Sequence, residues 1–80
     1  MPDELKNAKK VVGTKQLTKA LRRGEVRDVY LAEDADPLLT SPVNFLAGEL
    51  NIPVHWVPRM AELGKACGIS VGTAAAGVLK

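Results

Sequence analysis

The chain has 80 residues, of which 46% are apolar, 4% aromatic and 25% charged, with 11 Lys plus Arg against 9 Asp plus Glu. Those values exclude a disordered tail and a disulfide miniprotein and point to a single domain over residues 1–80 with its own core. One cysteine, Cys67, and one histidine, His55, leave no internal disulfide and no zinc site to build.

Taken in chain order, Asp3 through Lys10 reads as a short helix with Asp3 as N-cap and Leu5, Ala8 and Val12 as its apolar stripe; Val11 and Val12 alternatively open a short strand. Gly13 breaks the chain, Thr14 is the expected cap of a second helix, and Gly24 stands just past its end, where a C′ glycine belongs. Val29 to Ala32 is a β-rich run that ends in the acidic turn Glu33-Asp34-Ala35-Asp36-Pro37. A helical pattern follows from about Leu38 to Leu50, with Leu39, Val43, Leu46, Ala47 and Leu50 as its apolar positions. Pro53 to Val57 reads as a strand, Met60 to Cys67 as a short helix stopped by Gly68, and the segment from Gly72 to Leu79 as a final strand. In that last segment the alanines favour helix, but Gly77 interrupts it and the alternation of helix with strand calls for a closing strand. The expected fold is α/β: a three-layer α/β/α sandwich around a mixed sheet of about four short strands.

The net charge of +2 conceals a segregation along the chain. Residues 1–27 carry eight basic side chains against three acids, residues 28–58 carry five acids and no Lys or Arg, and residues 59–80 carry three basic groups against one acid. A basic face made by the first third suits a polyanion; an ordinary solvated surface accounts for it equally well on charge alone.

The second helix concentrates that face. At roughly 100° per residue, Lys15, Gln16, Lys19, Arg22 and Arg23 share an arc of about 120°, with Leu17, Ala20 and Leu21 opposite. The helix follows a glycine, so its first amides and the positive end of its dipole are open to a phosphate, and a side chain at Gly13 would hold an incoming backbone away. Gln16 offers a base edge both a donor and an acceptor. An amphipathic helix with Lys and Arg for solubility has the same pattern.

Three separated runs occur in one order: Gly13-Thr14-Lys15-Gln16-Leu17-Thr18-Lys19-Ala20-Leu21-Arg22-Arg23-Gly24, then Val29-Tyr30-Leu31-Ala32-Glu33-Asp34-Ala35-Asp36-Pro37, then Leu63-Gly64-Lys65-Ala66-Cys67-Gly68-Ile69. Together they resemble the L-seven-Ae and L-thirty-e ribosomal-protein family, most of all its short bacterial members. The resemblance implies a noncatalytic protein without cofactor or metal that binds kink-turn RNA, with the ribosome or another ribonucleoprotein as setting. It implies that Gly13, Lys15, Gln16 and Lys19, at the positions of the family's Gly-x-Asn-Glu-x-x-Lys motif, enter the RNA groove and read tandem sheared G·A pairs. Lys15 and Gln16 depart from the family's Asn and Glu; a Gln carbonyl still accepts from guanine N–H groups. The resemblance places Thr14, Arg22 and Arg23 on the same RNA-facing helix. The second implied contact is the loop Gly68-Ile69-Ser70-Val71-Gly72, where Ile69, Ser70, Val71 and Gly72 meet a nucleotide flipped out of the stack. On spacing alone Ile69 and Val71 read instead as core residues. The acidic turn at Asp36 lies near RNA in some relatives, although such a carboxylate more often shapes a turn.

Cys67 and His55 are not placed as a nucleophile and base by any spacing, and the cysteine reads as a small buried apolar residue. Trp56 and Tyr30 read as packing residues of strands, without a partner aromatic to make a stacking platform. The glycines at 68, 72 and 77 do not form a nucleotide fingerprint. No apolar run approaches the roughly 20 residues that cross a bilayer and no signal-peptide core precedes the first helix, so the expectation is a soluble, cytoplasmic monomer without a membrane partner. A protein-interaction or regulatory module on the same fold, without specific RNA binding, is the alternative function.

Overall fold

The computed structural model describes residues 7–80. Its elements are β1 (Lys10–Val12), α1 (Thr14–Arg22), β2 (Val26–Ala32), α2 (Pro37–Glu49), β3 (Val54–Val57), α3 (Met60–Ala66) and β4 (Ala75–Leu79). The four strands form one sheet in the order β1-β4-β2-β3. β4 runs antiparallel to both β1 and β2, and β2 pairs parallel with β3, so the sheet is mixed as expected.

Side-chain alternation assigns each helix to a face of the sheet. Val29 and Leu31 of β2 and Ala75 of β4 pack with Leu17, Ala20 and Leu21 of α1 and with Val43 and Ala47 of α2. Tyr30 and Ala32 of β2 and Ala76 and Val78 of β4 point the other way, onto Leu63 and Cys67 at α3. The result is the three-layer α/β/α sandwich, with a core on each side of the sheet. Gly77 brings α1 close to the sheet, because a Cβ there would collide with Cδ1 of Leu17.

The structure corrects several sequence expectations. Of the first helix expected over 3–10, residues 3–6, including its cap Asp3, lie outside the described residues, and Lys10 already belongs to β1. β2 starts at Val26 rather than Val29. A register shift between Val26 and Asp28 admits Arg27 as an extra residue, so Val26 returns to the α1 side although the alternation breaks there. In α2 the core side is Thr40, Val43 and Ala47, while Leu39 and Leu50 are exposed. Apolar side chains from Phe45 and Leu38 round to Val43 and Ala47 cover more than half of this helix, so the apolar period alone did not select its inner face. Trp56, on the edge strand β3, is half exposed.

α1, α2 and α3 each end in the same left-handed turn. The C′ residues Gly24, Asn51 and Gly68 all have positive φ, and the amide after each bonds back to Ala20, Ala47 and Gly64 respectively. At Gly68 this turn launches the chain into the loop 68–72.

Candidate nucleic-acid interface

α1 buries Leu17, Ala20 and Leu21 almost completely, each leucine contributing roughly 1.5–3 kcal/mol of apolar burial, and leaves Lys15, Gln16, Lys19, Arg22 and Arg23 exposed. Its N-cap is Gly13, not the expected Thr14. Gly13 adopts φ 97° and ψ 150°, a backbone state that disfavours any L side chain, and no side chain caps the helix. Thr14 is the first helical residue, and its carbonyl accepts the Thr18 hydroxyl at 2.7 Å. The first turn contains no acid, so the positive end of the helix is not neutralised by its own sequence.

The second candidate contact, the loop 68–72, stands between α3 and β4. Ile69 is half-buried, Ser70 and Gly72 are exposed, and Val71 is 68% exposed. Val71 is therefore presented to solvent, whereas Ile69 is half-sequestered.

The sheet brings these two segments to one end. Val12 pairs with Ala76 in an antiparallel ladder, so the turn after β1 and the loop before β4 lie side by side. One atom ties them together: the Ala75 carbonyl accepts the Gly13 amide at 2.8 Å and the buried Thr73 hydroxyl at 3.0 Å. The acidic turn reaches the same end, since Ala32 donates its amide to Ala74. Its carboxylates are occupied with structure: Asp36 accepts from Leu38 N at 2.9 Å and starts α2, and Asp34 accepts from Met60 N at 2.7 Å and starts α3. Lys19, Arg22 and Arg23 extend the positive face along α1, where Arg23 lies 3.9 Å from Glu25.

Two residues that fix this geometry were not singled out from the sequence. A Cβ on Gly64, inside α3, would collide with the backbone carbonyl of Val71 and lie 3.0 Å from Cα of Gly72. The loop thus rests directly on the α3 backbone. A glycine interrupting a short helix was the available signal. Thr73 is the other, and nothing local marks it. Its amide also donates to Met60 O at 3.2 Å, which clamps the loop exit to the start of α3.

The reactive-looking residues do not assemble a centre. Cys67 is buried, and burial pushes its thiol up, with Lys10 opposing. His55 Nε2 lies 3.1 Å from Asp28 and its ring stacks on Tyr30, with centroids 4.8 Å apart. The Arg27 hydrogen bond, 2.7 Å long, is the main cause holding the Asp28 carboxyl below the usual range; His55 adds to it and partial burial opposes. Among the described residues no cluster of His, Cys, Asp and Glu could hold a metal ion.

Comparison with known proteins agrees with this architecture. The chain is 48% identical over 69 residues to an RNA-binding protein of Bacillus pumilus, covering 86% of this chain and 84% of that one. It is 47% identical over 76 residues to RNA-binding protein YbxF of Geobacillus stearothermophilus, covering 95% and 93%. Among solved structures, the Giardia lamblia 15.5kD RNA binding protein superposes with a TM-score of 0.88 at 26% identity, covering 98% of this chain and 69% of that one. The model of the Ribosomal protein L7Ae/L30e/S12e/Gadd45 family matches residues 1–80, and the chain belongs to that noncatalytic family.

Proposed function

We propose that this chain is a cytoplasmic, noncatalytic protein that binds RNA and recognises and stabilises the kink-turn, as a ribosomal or other ribonucleoprotein component. The observation that carries the reading is the shared Ala75 carbonyl, which holds the uncapped start of α1 beside the apolar loop 68–72. Gly13, Thr14, Lys15, Gln16 and Lys19 face the groove at the sheared G·A pairs, where Lys19 reaches a phosphate, and Arg22 and Arg23 follow the backbone. Ile69, Ser70, Val71 and Gly72 receive the flipped-out nucleotide, with Val71 as the apolar contact. A bent RNA presents a widened groove and an unstacked base together, and two contacts held at a fixed separation prefer that form to the extended one. The protein acts as a monomer in this role.

Energy transfer between dyes on the two RNA stems tests the reading. Adding protein to a kink-turn RNA in low salt should raise transfer, and adding it to the same RNA with the G·A pairs replaced should not. An equal rise in both, or in neither, contradicts it.

A further inference from the structure

α2 carries no Lys or Arg, and Glu49 is its only charged residue. Thr40, Val43 and Ala47 turn inward, yet the helix also displays Leu38 at 82% exposure, Phe45 at 69% and Leu39 at 47%. Pro42 stands between them, so apolar groups recur at i, i+1, i+4 and i+7 on the outer side. Across from this stripe stand Lys15, Lys19 and Arg22 of α1, and the two helices enclose an open groove of about 360 Å³. None of these three cations has an acidic partner among the described residues, whereas Arg23 and Arg27 have Glu25 and Asp28. One wall is positive and the other aliphatic.

The α2 wall of this groove is poorly made for an RNA backbone. The α2 wall offers no cation, exposed Glu33, Asp34 and Asp36 precede its first turn, and bases stack on aromatic or guanidinium planes rather than on leucine. The groove is well made for a helix with two chemistries, leucine-like residues for the α2 wall and carboxylates for the α1 wall. We propose that the α1–α2 groove docks an amphipathic helix of a partner protein, acidic along one flank, against Leu38, Leu39 and Pro42 on one side and Lys15, Lys19 and Arg22 on the other. Lys15, Lys19 and Arg22 all belong to the proposed RNA face as well, so the test uses RNA-free protein.

The probe is a synthetic helix-forming peptide with leucines at i, i+3, i+4 and i+7 and glutamates along one flank, titrated into the full-length ¹⁵N-labelled chain. The Thr18, Arg22, Leu38 and Leu39 amides should shift, and a scrambled peptide of the same composition should leave the leucine amides in place. Leu38→Asp and Arg22→Glu, both at exposed positions, should each weaken binding by at least about tenfold. Arg22→Glu should in turn prefer the peptide whose flank carries lysines. Shifts confined to other surfaces, or affinity unchanged by both variants, overturn the proposal. Single-stranded oligouridylate shifting the Leu38, Leu39 and Phe45 amides more than the peptide overturns it in favour of RNA.

Discussion

The amide of Gly13 donates 2.8 Å to the carbonyl of Ala75, the same oxygen that accepts the Thr73 hydroxyl at 3.0 Å. Two segments 60 residues apart in the chain are thereby held against one backbone atom. Thr73→Val keeps the shape and removes the hydroxyl, at a cost of about 1 kcal/mol for a neutral hydrogen bond. Kink-turn affinity should fall about fivefold, duplex affinity should stay unchanged, and Thr73→Ser should restore most of the loss. An equal loss toward plain duplex would show that the hydroxyl does not set the loop.

Gly64→Ala places a methyl on the Val71 carbonyl, a backbone atom that cannot swing aside as a side chain does. The unfolding free energy from urea titration should drop by about 1–3 kcal/mol, and specific RNA binding should weaken beyond what that loss of folded protein accounts for. Unchanged stability would mean that the loop moves without cost.

Charge and base reading separate by substitution. Lys19→Ala should weaken all RNAs alike and lower the salt slope by about one released counterion, out of about 3–5 in the wild type. Gln16→Ala should instead narrow the gap between a kink-turn and its G·A-replaced form. Filter binding over a salt series distinguishes the two.

Asp28 gives the acid limb of stability a defined origin. Its folded pKa lies below the ordinary value of 3.8, chiefly through the Arg27 hydrogen bond. A depressed carboxylate stabilises the fold above its unfolded pKa, and that contribution is lost as pH falls through the folded value. Thermal melts of Asp28→Asn and wild type should therefore differ near neutrality and converge at strongly acidic pH. A constant offset across the range would assign the loss to shape.

Much of the fold was legible because local and tertiary signals agree. Leu17, Ala20 and Leu21 repeat on one side of α1, glycines bracket the helix, and Gly68 starts the loop, so both candidate contacts were visible in the sequence. What was not legible depends on contacts between distant segments. Gly64 matters only because Val71 folds back on it, and Thr73 only because Ala75 is shared with Gly13. α2 misled for another reason: Leu38, Leu39 and Phe45 mark an outward face more strongly than Val43 and Ala47 mark the inner one, and Thr40 rather than Leu39 enters the core.

Whether the chain reads the kink-turn itself is decided by its affinity for three RNAs at one salt concentration: a kink-turn, the same sequence with its G·A pairs replaced, and a plain duplex. The kink-turn should bind at least about thirtyfold more tightly than either of the others, the discrimination that two base-reading contacts worth roughly 1–3 kcal/mol each supply. Equal affinity for all three would contradict it and leave only the attraction of a basic helix for phosphate.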